Sequence, residues 1–342
     1  MERRKHNSLD ICKLLMAFCV VAIHTHPLEH CAISIVNDCY DSFVRIAVPF
    51  FFLSSGFLLS QKFEPSFSSP RNIATARKYL LKIIKMYVVW TVVYLPMAIY
   101  HFISTETGVL KSVLLYIRGF VFIGEQYNSW HLWYLLSTIY ALVFILILLY
   151  LKISPKKAIV FSSFVFLFSI GIDYLSAYEG NTNTFIGIFI MIIRVSIGSG
   201  RILTGLFYLP LGCFLAQKQP NLKVSLTMLV SGYILNVFVQ NYYWSTLLVA
   251  ISSIGFFCVI NTIALPNSRV YPFVRKMSTI IYFVHMYIWS FYYVLIYGEK
   301  TYGIDCFLVT IVICLALSAA IVVVTECYNK KKDKSNSMLT SV

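Results

Sequence analysis

Apolar residues dominate ten long stretches of the chain, near 9–26, 41–61, 79–102, 131–152, 158–178, 202–217, 222–240, 245–265, 277–297 and 306–325, with polar residues gathered between them. A hydrocarbon core about 30 Å thick is crossed by roughly 20 apolar residues in a helix, so each stretch reads as a transmembrane span. Two further apolar segments, 109–123 (VLKSVLLYIRGFVFI) and 184–194 (TFIGIFIMIIR), are too short to cross comfortably. They read as interfacial or re-entrant helices that roof the outer side. The fold class is therefore all-α, a polytopic integral membrane protein with about ten transmembrane helices and two short interfacial or re-entrant ones. The membrane domain occupies 1–329. The polar tail KKKDKSNSMLTSV, 330–342, is expected to be a short, disordered, basic cytoplasmic extension. No soluble domain is expected at either end, and there is no internal repeat.

Composition supports the same class. Of 342 residues, 59% are hydrophobic and only 12% charged, with a mean hydropathy of +0.76, which excludes an ordinary soluble enzyme. The basic excess of +14 would suggest nucleic acid in a soluble protein, but topology accounts for it here. Segments placed on the cytoplasmic side by a ten-span count (1–8, 61–78, 152–157, 217–223, 266–276 and 326–342) hold 19 Lys or Arg, and the opposite loops hold five. That bias orients both termini to the cytoplasmic face of the plasma membrane and leaves no need for a nucleic-acid partner. The basic N-terminus before a hydrophobic run resembles a signal peptide. No small-residue cleavage site follows His24, Thr25, His26 and Pro27, so the segment reads as a retained first helix. The nine cysteines form no CxxC pair and read as small apolar packing residues, with no metal expected.

Ionisable groups inside spans cost several kcal/mol unless they are paired or line a polar cavity, which makes them functional candidates. They are Asp10, Lys13 and His24 in the first span, Arg45 in the second, Asp173 in the fifth and His285 in the ninth. Lys13 and His24 are eleven residues apart, which places them on one helix face separated by about 16 Å. One reading has the cation hold phosphates near the cytoplasmic end while the imidazole does proton chemistry deeper in the bilayer. The other has Lys13 snorkel to the headgroups and His24 bond a neighbouring helix.

Arg45 stands in VRIAVPFFFLSSGFLL, where Pro49 is expected to interrupt the helix and Ser54, Ser55 and Gly56 permit close backbone approach. It either snorkels to the outer interface or offers its donors to a carboxylate, a phosphate or a developing oxyanion. His285 falls near mid-membrane with Tyr282 and Trp289 on its face, as a core histidine bonded to a carbonyl or as part of a site. Trp130, His131, Trp133 and Tyr134 open the fourth span as an aromatic belt would. Glu125, just before them, is a carboxylate able to orient a histidine or activate a hydroxyl.

Lys13-x10-His24, the run from Arg45 through Pro49 to Ser55-Gly56, Trp130-His131-Leu-Trp133-Tyr134-Leu, and Ser278 to His285, together with ten spans, resemble the membrane acyltransferase family 3. The likeness runs from about residue 8 to 325, and VPxFFxxSG is its most specific part. Within the family, SLDICKLLMAFCVVAIHTHP resembles the membrane domain of vancomycin-resistance membrane-bound serine racemases. The resemblance implies transfer of an acyl group, usually acetyl, from cytoplasmic acetyl-CoA or another acyl-CoA as co-substrate to a hydroxyl of a cell-envelope glycan or lipid-linked sugar.

It also implies that His24 is the catalytic histidine of an Arg-x10-His motif in which Lys13 replaces the first member. The expected catalytic set is His24, Arg45 and Glu125. Lys13, Ser55, His285, Trp130 and Tyr134 are the expected substrate-binding set. The expected partners are the lipid bilayer, acyl-CoA and the envelope acceptor, which is acylated by the membrane part itself or through a separate extracytoplasmic protein. Without a pyridoxal-phosphate domain, serine racemisation is not expected. A second class stays open: a transporter or binding domain for a small polar solute such as serine, lined by the same groups.

Overall fold

The computed structural model describes residues 6–177, 185–196, 198–239 and 241–339. Thirteen α-helices and no strand occur among them. Eight helical spans are long and apolar enough to cross a membrane: Asn7–Thr25, Ser34–Ser60, Pro70–Ser104, Trp130–Tyr150, Pro155–Ala177, Tyr242–Thr262, Val270–Tyr297 and Ile304–Lys330. Two shorter apolar ones, Gly200–Leu215 and Leu222–Phe238, complete the ten expected from the apolar pattern. The large apolar side chains left on the outside, among them Leu81, Val92, Ile103, Phe164, Phe168 and Val312, are what a hydrocarbon solvent requires of a polytopic membrane protein.

The chain divides into two compact units, Met1–Ala47 with Ile260–Val342, and Val48–Val259. The first holds α1 (Asn7–Thr25), α2 (Ser34–Val44), α12 (Val270–Tyr297) and α13 (Ile304–Leu339). In it α1 packs on α12 and α13, α12 and α13 form an antiparallel hairpin, and α2 lies on α1. Its entry is fastened by polar groups. The amide of Asn7 donates to the carbonyls of Leu265 (3.2 Å) and Pro266 (3.1 Å), and His6 Nδ1 meets Asn261 Oδ1 at 3.0 Å.

The second unit holds α3 (Ala47–Ser60), whose first residue belongs to the first unit, α4 (Pro70–Ser104), α5 (Val109–Arg118), α6 (Trp133–Tyr150), α7 (Pro155–Ala177), α8 (Phe185–Ser196), α9 (Gly205–Leu215), α10 (Leu222–Phe238) and α11 (Tyr242–Thr262). Here α6 packs on α4 and α9, and α7 on α9. Glycines set these crossings. A methyl group on Gly56 of α3 would fall 1.9 Å from the Leu209 carbonyl oxygen on α9, and one on Gly212 of α9 would fall 2.2 Å from the Leu53 oxygen on α3. Each helix therefore presents its backbone to the other. Without water to squeeze out, this small-residue contact and its dispersion energy are what join helices in a membrane. The Cys213 thiol adds a donor to the Gly56 carbonyl at 3.2 Å.

Three details differ from the sequence expectation. The second span is two helices, broken at Arg45–Ile46 ahead of Pro49. The interruption expected at Pro49 thus falls four residues before it, where its ring would meet the Arg45 carbonyl, and Pro49 itself sits in the first turn of α3, where its missing N–H has no intrahelical partner to lose. α4 begins nine residues before the expected 79, because Ser69 caps it by accepting from the Asn72 N–H (3.2 Å) and Pro70 supplies its first turn. Finally, α13 continues through the polar tail to Leu339 instead of ending in a disordered segment. Its Lys and Asn residues tolerate the helical conformation once a long apolar helix has nucleated it. Residues 340–342 lie outside the described residues, as does residue 184 of the second short segment.

The first short segment is a ten-residue helix, α5, with no buried residue, followed by a π-helical turn over Gly119–Ile123. The second, α8, has twelve residues.

Candidate functional site

Charge and imidazole in the first unit line the seam between α1 and α12. At the N-terminal end of α1, buried Asp10 accepts from Arg275 Nη1 at 3.5 Å. Lys13, one turn on, interacts electrostatically with both Asp10 and Arg275. Toward the other end the rings of His24 and His285 lie 5.4 Å apart, tilted by 34°. Because the pairs Asp10–Arg275 and His24–His285 follow the same order along both helices, α1 and α12 run in the same direction. Lys13 and His24 thus meet the same neighbour, as their eleven-residue spacing predicts, and the cation-bearing end is separated from the imidazole end by about three turns.

Each side chain is held by its helix. His285 is 1% exposed, beside Ile281, Met286 and Trp289, all fully buried. Its Nδ1 donates to the Ile281 carbonyl at 3.1 Å. α1 stops just after His24 because the residue before Pro27 disfavours the helical conformation. His26 turns left-handed (φ 42°) and its N–H closes on the Ala22 carbonyl.

The loop joining α12 to α13 seals this end. Gly303 N–H donates to the Thr25 carbonyl (3.0 Å), Trp289 Nε1 donates to the Thr301 carbonyl (3.2 Å), and Tyr302 stacks on Trp289 at 5.6 Å. Gly303, at φ 141°, occupies backbone space that side chains avoid. Tyr292 and Tyr297 both donate to the Asp305 carboxylate in the first turn of α13.

Arg45 caps the C-terminus of α2, where a cation meets the negative end of the helix dipole, with Asp41 one turn before it as its electrostatic partner. α2 is tied to α1 by the Tyr40 hydroxyl, which donates to the Ala22 carbonyl at 2.9 Å. The break between α2 and α3 thus places Arg45 at a helix end and not within a continuous span.

The remaining expected residues belong to the second unit. Ser55 Oγ and Tyr134 Oη meet at 3.2 Å, and the Tyr79 hydroxyl also bonds Ser55. The Tyr134 ring lies 4.4 Å from that of Phe52. Glu125 follows the left-handed Gly124 (φ 76°) and forms an ion pair with Arg201, whose guanidinium lies 4.9 Å over the Trp133 ring. Trp130 opens a 3-10 turn over Trp130–Leu132.

Two residues of this unit depart from expectation. His131 does not join an aromatic belt: it is buried with its ring 5.0 Å from that of Tyr94, because the 3-10 turn rotates it inward. Asp173 accepts from the Gly200 N–H at 2.8 Å and from the Tyr242 side chain, so it satisfies backbone at a tight crossing.

Sequence reasoning missed Arg275 as a site residue, since a loop-edge arginine carries no periodic signal. It missed Tyr302 and Asp305 for the same reason. Arg275 acquires its role through a contact with Asp10, 265 residues away, and Tyr302 and Asp305 through side chains of α12.

Three relatives share about half of the chain. An amino-acid racemase of Enterococcus faecalis is 30% identical over 181 residues, covering 53% of this chain and 24% of its own length. A second amino-acid racemase of that organism is 28% identical over 167 residues (48% and 22%), and a serine/alanine racemase of Enterococcus gallinarum is 28% identical over 176 residues (49% and 23%). The chain spans under a quarter of the length of these relatives. No solved structure matches. The model of the acyltransferase 3 family, described as an acyltransferase domain, matches residues 6–325. A match over nearly the whole chain, on a scaffold of long apolar helices, means that this multi-pass membrane protein belongs to the acyltransferase 3 family.

Proposed function

We propose that the protein transfers an acyl group, acetyl as the first choice, from cytoplasmic acyl-CoA to a hydroxyl of a cell-envelope glycan or lipid-linked sugar in the plasma membrane. The α1–α12 seam is the observation that carries this reading, because it holds Lys13 and Arg275 at one end and an imidazole pair at the other. Cytoplasmic termini, favoured by the 19-to-5 bias in basic residues, put the cations on the side where acyl-CoA is made.

His24 takes the proton from the acceptor hydroxyl as its oxygen attacks the thioester carbonyl. The carbon–sulfur bond then breaks, the coenzyme thiolate leaves and recovers the proton from His24, and an ester remains. Lys13 holds coenzyme phosphate as a point charge. Arg45 supplies donors to the thioester oxygen as negative charge develops there. Glu125, paired with Arg201, and Ser55 and Tyr134, whose hydroxyls bond each other, are given no step in this scheme.

The names of the relatives favour a second reading, in which this domain binds or moves a small amino acid such as serine. Protein reconstituted in liposomes decides between them, with labelled acetyl-CoA on one side and envelope extract on the other. A labelled ester supports acyl transfer, whereas labelled serine crossing without any ester overturns it.

A further inference from the structure

The hydrogen bond from His285 to the Ile281 carbonyl sets more than a ring orientation. A carbonyl oxygen can only accept, so Nδ1 carries the proton, and in the neutral ring Nε2 is left with the lone pair. That ring is 1% exposed, is tethered to the Ile281 carbonyl and lies 6.4 Å from the Tyr282 ring. Burial and that hydrogen bond set its orientation toward its neighbour across the seam. The neighbour is His24, with ring centres 5.4 Å apart, near enough for a small rotation of His24 to bring a ring N–H onto that lone pair. His24 is half-buried and stands in the last turn of α1, directly across the seam from that ring.

We infer that His285 is a positioning residue for His24: a fixed hydrogen-bond acceptor that holds one N–H of the His24 imidazole and steadies the imidazolium formed during acyl transfer. It replaces the role of substrate contact expected for His285 from sequence. The inference rests on the acyltransferase reading for its kinetic consequence, and on the geometry alone for its tautomer. The arrangement is that of an orienting group behind a general base, with a neutral imidazole where a carboxylate often stands. A neutral acceptor suits this buried end of the seam, because a carboxylate there would need a cationic partner, as Asp10 needs Arg275 at the other end. Asp305, the acidic residue at this end of α13, is already occupied by Tyr292 and Tyr297.

The test uses the full chain in lipid nanodiscs with nitrogen-15-labelled histidine. Signals of His24 and His285 are assigned from their Gln variants among the seven histidines. In the wild type, neutral His285 should carry its proton on Nδ1, and His24 should populate one tautomer. In His285→Phe the His24 ring signals should shift toward a tautomer mixture, while kcat for acetyl transfer falls about 10²-fold and KM for acetyl-CoA stays unchanged.

His285→Gln should restore most of kcat, because its amide donates to Ile281 and presents an acceptor oxygen. Protonation of neutral His285 at Nε2, His24 signals that do not move in His285→Phe, an effect confined to KM, or a Gln variant as poor as Phe would each overturn the inference. If the wild type makes no ester, the functional reading fails, and the nitrogen signals still decide the pairing. Should His285→Phe not fold, His285→Leu takes its place, and the wild-type tautomer remains decisive.

Discussion

The two units solve opposite problems with the same kind of helix. In the first, α1 and α12 carry ionisable groups toward each other: Asp10 with Arg275, and His24 with His285. In the second, α3 and α9 bring bare backbone together at Gly56 and Gly212, and the nearby polar side chains are hydroxyls that bond one another. The stretch VPxFFxxSG, Val48–Gly56, lies in the second unit, where its glycine packs helices. Close packing of backbone on backbone restricts substitution at such a position as severely as chemistry does. The ionisable seam, by contrast, is built from residue types that are informative singly and sparse in spacing.

The largest expected effect lies in the first unit. His24→Gln should leave a folded protein that still binds acyl-CoA, while acyl transfer falls by roughly 10²- to 10⁴-fold, the usual loss when acid–base catalysis is removed. Initial rates with labelled acetyl-CoA check this, and a variant with near wild-type turnover would move catalysis away from the seam.

Next comes the packing prediction for the second unit. Gly56→Ala places a methyl 1.9 Å from the Leu209 oxygen, and should destabilise the protein by about 1–3 kcal/mol as α3 and α9 are forced apart. Thermal unfolding in detergent measures it. If instead stability is unchanged and only turnover drops, the glycine serves chemistry, and the contrast between units is lost.

Lys13 tests the cationic end of the seam. Lys13→Ala should raise KM for acyl-CoA by about tenfold, the effect of losing one charged contact worth about 1.4 kcal/mol, whereas Lys13→Arg should preserve or improve it through its planar fork. Loss of binding in the Arg variant counts against a phosphate role. The smallest effect is expected at Glu125. Its partly exposed pair with Arg201 is worth at most about 1 kcal/mol, so Glu125→Gln should shift unfolding slightly and leave acyl transfer intact. A hundredfold loss of rate there would return Glu125 to the catalytic set.

Hydropathy and spacing alone carry much of this molecule. Ten apolar stretches appear as ten spans, and Lys13 and His24 share a face, because the bilayer's thickness and the helical repeat impose lengths and periods that can be counted along a chain. Contacts between distant segments cannot be counted that way. The burial of His131 against Tyr94, the use of Asp173 to hold the Gly200 N–H and the seating of Arg275 on Asp10 each depend on which helix lies beside which. Hydropathy says that a residue avoids water, and periodicity says on which side of its helix it stands. Neither names the partner across the gap. That partner makes a histidine a fixed acceptor and a carboxylate a brace for backbone, and only the tertiary structure supplies it.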